Sequence, residues 1–393
     1  MTQQDGKDRR LPYIDALRGI AILGVLAVHT HQVAPPAWVP LATVATNGHF
    51  GVQLFYLMSA FTLMVSRQRR AGREIGVWRN YVTRRFFRIA PMYWVAILAY
   101  LSVMGLAPRH YAPDGVTWWA VFGNFFFLHG WHPEWINSVV PVGWSVGVEE
   151  SFYAILPLLA LAITTWERAA IACVVSLPLA AWLAPLALKA FPGVSNEVMT
   201  GFLHFWLPNQ LPVFLLGILL FFALPKIAAW AEAHSRDRSL LLLAIGALLV
   251  GLLVGGTTKM LPPHIAFTLG FFCLAAALTV RPFGLLVNPV TVYFGKISYS
   301  VYLLHYLLLG QAKELIYWIN SYLPRSMSAD GQFLAVLGVL MVMCAGICSV
   351  TYRYIEEPCI ALGKRIIERM EERRAAGRLP HVTAYLIRNG AGQ

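Results

Sequence analysis

An all-helical, polytopic membrane bundle is the fold class this sequence predicts, and three observations predict it. The first is composition: of 393 residues, 58% are hydrophobic and only 13% are charged. Soluble domains carry roughly 25% charged residues. A mean hydropathy of +0.60 makes the bilayer the natural solvent for most of this chain. The second is a series of ten apolar stretches of spanning or nearly spanning length. These are 14–33, 50–66, 89–106, 146–165, 168–188, 207–225, 239–256, 263–281, 297–318 and 333–355. The third is the placement of basic residues between them.

With the N-terminus in the cytoplasm, the inside segments hold 24 of the 31 Lys and Arg residues and the outside segments hold five. The outside five are Arg109, Lys189, Lys259, Lys313 and Arg325. Adding or losing one helix would invert every later loop and erase this asymmetry, so the positive-inside rule favours ten spans with both termini cytoplasmic. The net charge of +12 then orients the protein, and no nucleic-acid partner is expected. Residues 1–358 form the expected transmembrane domain, and 359–393 a short charged cytoplasmic tail. The first stretch is not read as a cleaved signal, because Asp15 and Arg18 interrupt its start. Trp118 to Leu128 is aromatic but too short to cross, and reads as an interfacial or re-entrant segment. The five cysteines lack metal-type spacing, so no metal site is expected and core packing is the better reading.

In so apolar a chain, ionisable residues inside spans carry the information. Arg18 and His29 lie eleven residues apart. At 100° per residue they return to within about 20° of one helix face, roughly 16.5 Å apart along the axis. A snorkelling arginine and a hydrogen-bonded histidine are the plain alternatives for each alone; their alignment favours a site. Arg84, Arg85 and Arg88 surround Phe86–Phe87 ahead of Pro91 and Tyr93. Arg85 and Arg88 are one turn apart, so both guanidinium groups can address one anion. Lipid headgroup contact is the competing reading, and is preferred for Arg67, Arg69, Arg70, Arg73 and Arg79. A third cluster starts at Trp144-Ser145 and includes Glu149 and Glu150. Glu149 can orient an imidazole or bind sugar hydroxyls, or be only a helix-terminus acid. Ser59, Ser298, Tyr299, His305 and Glu356 complete the polar inventory, each more readily structural when taken singly.

Together these segments resemble the membrane acyltransferase-3 family. Asp15-Ala16-Leu17-Arg18-Gly19 followed by His29 is similar to its signature of an Arg, ten residues, then a His. Phe55-Tyr56-Leu57-Met58-Ser59-Ala60 resembles its Phe-Phe-x-x-Ser-Gly motif, with Tyr56 and Ala60 as mild departures. Arg85, Arg88, Pro91 and Tyr93 resemble its Arg-x-x-Arg region. Trp144-Ser145-Val146 with Glu149, Phe152 and Tyr153 resembles its fourth-span motif, Ser298-Tyr299 with His305 its ninth, and Glu356 before Pro358 its last. The motifs run in family order from Asp15 to Pro358.

The resemblance implies an O-acyltransferase of a bacterial inner membrane. Its donor would be cytoplasmic acyl-CoA, usually acetyl-CoA, used as a co-substrate with no permanently bound cofactor. Its acceptor would be a hydroxyl, often of an envelope carbohydrate. It further implies His29, Glu149 and Arg18 as catalytic residues, and Arg18, Arg85, Arg88 and Tyr93 as donor-binding ones. Ser59, Trp144, Ser145, Tyr299, His305 and Glu356 would bind substrate or support the site. His29 would act as a general base or carry the acyl group itself. An esterase-like domain of the kind some members append is not expected here. Two other classes fit the spans: a transporter or flippase for an anionic substrate, and a non-enzymatic scaffold. The first lacks visible paired interrupted helices, and the second leaves the aligned charges unexplained.

Overall fold

The structure is a computed structural model that describes residues 11–254, 261–323 and 326–378. The described residues are helical, without a named strand, apart from one isolated bridge between Arg109 and Ala112. In chain order the helices are α1 (Pro12–Val33), α2 (Val39–Thr46), α3 (Gly51–Arg70), α4 (Val77–Met104), α5 (Trp118–Phe125), α6 (Trp144–Ala162), α7 (Trp166–Ser176) and α8 (Leu179–Ala190). They continue with α9 (Asn196–Phe205), α10 (Leu207–Ala231), α11 (Ser235–Val254), α12 (Pro263–Val280), α13 (Pro289–Lys296), α14 (Ser298–Ser321), α15 (Ala329–Thr351) and α16 (Glu357–Arg378).

Each of the ten apolar stretches falls on helix, yet ten separate crossings do not follow from the helices. Among the described residues, seven helical segments are long and apolar enough to cross a membrane, or eight with the bent α7–α8 pair counted as one span. The differences have local causes. The stretch 168–188 is two helices meeting at 44°, with the break at Leu177–Pro178, where proline lacks the donor a continuous helix needs. The segment Asn196–Leu252 runs through α9, α10 and most of α11 as one candidate. α14 falls outside the seven; it carries Tyr299, Tyr302, His305, Lys313 and Glu314, and several of these face the site described below. The end of 239–256, the basic residues before Leu11, Lys259, Arg325 and the tail beyond Arg378 lie outside the described residues. The tail up to Arg378 is helical, as α16. The 118–131 segment holds the short α5, with Trp118 and Trp119 both exposed, as an interfacial aromatic segment would have them.

Close helix contacts position the site. A Cβ at Gly19 would run into the backbone of Thr291, and one at Gly295 into the backbone of Asp15. α1 and α13 therefore approach to backbone contact, and α13 leads directly into α14. Asn288 and Thr291 form a capping box that starts α13. On α3, the methyl of Ala60 faces Gly217 of α10. The small residue of this contact thus sits on the partner helix, and Ala60 remains fully buried there. Gly76 directly precedes α4, and the chain at this helix start is fastened from a distance. Glu371 of α16 accepts from the N–H of Ile75 (2.6 Å), the N–H of Gly76 (2.9 Å) and Nδ2 of Asn80 (3.0 Å). Cys344 and Cys348 are buried and unbridged, consistent with packing.

Candidate active site

Side chains from five helices line one cavity of about 640 Å³, open mouth included. They comprise Arg18 on α1, Phe55 and Tyr56 on α3, Arg88 and Ile89 on α4, Ser145, Glu149 and Tyr153 on α6, and Ser298, Tyr299 and Tyr302 on α14, with Val52 and Val146 between them. Helical periodicity explains the choice: Ser145, Glu149 and Tyr153 recur every four residues on one face of α6, as do Ser298 and Tyr302 on α14. The lining has two fixed cations and one carboxylate.

Glu149 is held by two hydroxyls. Ser59 Oγ donates to its Oε1 at 2.5 Å, Tyr153 OH donates to the same oxygen, and the two hydroxyl oxygens lie 2.8 Å apart. Ser59 thus joins the site through Glu149 without lining the cavity. Farther along, Ser145 Oγ donates to Tyr302 OH (2.8 Å), which donates to the carbonyl of Val142 (3.0 Å). Tyr56 OH donates to the carbonyl of Ser145 (3.1 Å). Val142 has φ +66°, a strained conformation for a β-branched residue, of the kind that persists only where its surroundings impose it. Tyr299 OH donates to the carbonyl of Ile89 (2.9 Å), tying α14 to α4. Trp144 stacks on Phe205 at 4.2 Å and packs the back of α6.

The two histidines lie one step beyond this cavity. His29 Nδ1 meets Gln32 Oε1 at 2.9 Å, and its ring lies 5.0 Å from that of His305. His305 Nδ1 meets the carbonyls of Tyr302 (2.8 Å) and Val301 (3.1 Å). Carbonyl oxygens only accept, so in both rings Nδ1 carries the proton and Nε2 is the free base. His305 is fully buried and its Nε2 has no partner among the described residues. His305 also sits 5.9 Å from the ring of Tyr302, which lines the cavity. His31 turns instead towards Thr46, at 3.4 Å.

Besides Ser59, Trp144 and the two histidines, three expected residues do not line the cavity: Arg85, Tyr93 and Glu356. Arg85 and Arg88 do not converge: Arg88 lines the main cavity, whereas the Arg85 guanidinium lies 5.6 Å over the ring of Tyr153 and lines a second, smaller cavity. Tyr93 is fully buried, donates to Asn124 Oδ1 (2.9 Å) and stacks on His129, so it anchors the 118–131 segment to α4. Glu356 accepts from Ser300 Oγ, which in turn accepts from Thr351 at 2.8 Å. It lies on a π-helical turn, Tyr352–Glu356, a distortion often found near functional sites. Glu149 does not touch His29; the imidazole is oriented by Gln32. Sequence reading passed over Gln32 and Tyr302. The i+3 offset of Gln32 from His29 and the 298, 302, 305 spacing on α14 were the available signals. Among the described residues no group of three or more His, Cys, Asp or Glu side chains is placed to hold a metal ion.

Comparison with known proteins gives the family. The sequence pattern described as "Acyltransferase domain" matches residues 11–353. "Putative O-acetyltransferase SACOL0978" of Staphylococcus aureus (strain COL) is 24% identical over 388 residues, covering 90% of this chain and 58% of that protein. "O-acetyltransferase OatA" of Staphylococcus aureus (strain NCTC 8325 / PS 47) is 23% identical over 389 residues, covering 89% and 57%. The chain thus spans under two thirds of the length of the curated relatives it matches. No solved structure matches it. A pattern that runs from the first described residue to the end of the last long apolar helix shows the family: this chain is a member of the membrane acyltransferase-3 family.

Proposed function

We propose that this chain is an integral membrane O-acetyltransferase of a bacterial cytoplasmic membrane. It would take the acyl group from acetyl-CoA at the arginine end of the cavity and deliver it to a carbohydrate hydroxyl at the histidine end. The observation that carries this reading is the convergence of Arg18, Arg88 and Glu149 on one cavity whose far wall, Tyr302, abuts the His305–His29 pair. Phosphate beside Arg18 and Arg88 gains charge-assisted hydrogen bonds. From there a pantetheine arm of about twelve bonds reaches roughly 14 Å when extended, at about 3.3–3.6 Å per three bonds. That reach matches the axial separation of Arg18 and His29, about 16.5 Å, once the length of the arginine side chain is included.

At the histidine end, Nε2 of His29 takes the acceptor's hydroxyl proton as the oxygen attacks the thioester carbon. The C–S bond breaks, and the imidazolium returns the proton to the leaving thiolate, giving CoA thiol and the ester. Gln32 holds the tautomer that leaves Nε2 free. Purified protein should therefore release thiol from acetyl-CoA in the presence of a hydroxyl acceptor. A transporter would release none, and that result would sink the reading.

Two further outcomes are expected. Arg88→Ala should weaken donor binding by about 1–3 kcal/mol, the range for a lost charge-assisted hydrogen bond, while the exposed Arg69→Ala should change little. Equal small losses in titrations of both would return the arginines to lipid contact. A reporter that is active only outside the cytoplasm, fused after Gln393, should stay silent if both termini are cytoplasmic. Activity of that fusion would mean an odd number of crossings.

A further inference from the structure

The half of α14 beyond His305 carries an exposed strip that starts at His29. At 100° per residue, Tyr306, Gly310, Lys313 and Tyr317 fall within about 60° of one another around the helix, and they run for about 16.5 Å along its axis. At one end the ring of Tyr306 meets that of His29 edge-on at 5.6 Å. At the other, Tyr317 OH donates to the carbonyl of Val33 at 2.9 Å. The strip therefore follows the C-terminal end of α1, where Gln32, which orients His29, is exposed as well. Both tyrosines are exposed. A Cβ added at Gly310 would meet nothing within 4 Å, so the glycine leaves an open notch between them. Lys313 Nζ lies 5.3 Å over the ring of Tyr317, and among the described residues Lys313 is in no ion pair.

Lipid tails suit this surface poorly. Gln311, Lys313 and Glu314 crowd the middle of the strip's helix, and Gln311 and Glu314 are exposed. That polarity is why α14 falls outside the helices apolar enough to cross a membrane, and a charged side chain in hydrocarbon is costly. Trp318 and Tyr322, farther along, fit an interfacial aromatic belt. A ligand for the strip needs flat apolar faces for the tyrosine rings, hydroxyls for the Gln32 amide, and an anion for Lys313. Pyranose rings supply the first two, and a sugar acid supplies the third. We propose that this strip is the acceptor subsite and that the acceptor is a glycan strand bearing carboxylates. One ring stacks on Tyr306 and presents its hydroxyl to Nε2 of His29. The strand then crosses the notch at Gly310, and a carboxylate farther along pairs with Lys313, about 10.5 Å up the helix from Tyr306. Glu314 sits about 100° around the helix from Lys313, away from the strand's path.

The inference rests on the proposed transferase reading and names the acceptor class for it, and the test separates the two. Thiol release from acetyl-CoA by purified protein is measured with three acceptors: glycerol, a short oligosaccharide of N-acetylglucosamine, and one of equal length that alternates glucuronate with N-acetylglucosamine. Unmodified protein should have a KM about 10-fold lower for the acidic oligosaccharide than for the neutral one, as for one charge-assisted contact at a partly exposed site. Lys313→Ala should abolish that preference. Gly310→Leu fills the notch without meeting another side chain, so it should raise the KM of both oligosaccharides about 10-fold and not that of acetyl-CoA. Trp318→Ala should change neither oligosaccharide. Unaltered KM values in both Gly310→Leu and Lys313→Ala would mean that the strip faces lipid, and would overturn the inference. So would an unmodified protein that does not distinguish the two oligosaccharides. Thiol release with glycerol but with neither oligosaccharide would overturn the inference and leave the transferase standing. Release with none of the three would sink the proposed function itself.

Discussion

His29→Ala is expected to lower acetyl transfer by about 10²–10⁴-fold, the contribution typical of a positioned acid–base group. Gln32 Oε1 accepts from Nδ1, which leaves Nε2 as the proposed base, and alanine supplies none. Donor binding should survive, because the proposed phosphate contacts lie at the opposite end of α1. His31→Ala should remain largely active, since its ring turns to Thr46. Steady-state rates and CoA titrations on the same preparations decide the matter. Near-normal transfer by a folded His29→Ala protein would refute the assignment. Loss of donor binding together with turnover would make His29 a holder of the thioester. The base would then be sought at His305, whose buried Nε2 is also free.

The second large effect is expected at Glu149. Glu149→Gln keeps the side-chain shape but removes the only carboxylate on a cavity wall that carries Arg18 and Arg88. It also weakens the bonds from Ser59 and Tyr153, because hydrogen bonds to a charged acceptor are worth about 1.5–3 kcal/mol against about 1 for neutral pairs. A fall in turnover of about 10²-fold is expected, with folding intact by thermal melting. Donor affinity should be kept or improved, since the wall becomes more positive. Unchanged turnover would reduce Glu149 to a structural acid and shift attention to Glu150, whose Oε1 is buried and unpartnered.

Much of the site was legible because helices have a fixed period. Arg18 and His29 on one face of α1, and the Ser145–Glu149–Tyr153 stripe of α6, follow from 3.6 residues per turn and need no tertiary information. The motif order then led to the family. What periodicity does not report is which stripe faces which. For Glu149 the sequence left open an imidazole partner, sugar hydroxyls or a plain helix-terminus role; in the bundle it is bound by Ser59, ninety residues earlier in the chain. The reason is that α3 and α6 are brought side by side by contacts that local sequence does not encode. Arg85 and Arg88 were one turn apart on any helical reading, but Arg85 sits over the ring of Tyr153 and opens onto a different cavity from Arg88.

From sequence alone, then, came the membrane class, the helical fold and the residue types that make up the candidate site. These depend on composition and short-range period, which act within a few turns of one chain segment. Tertiary structure decided the rest. It set the bend between α7 and α8 and the backbone contact of α1 with α13 at Gly19 and Gly295. It also paired His29 with His305 and opened two cavities side by side. Those features depend on which small residues let two backbones touch, and on which polar groups must find partners once no water is present. Both are properties of residues far apart in sequence, so only the packed bundle specifies them.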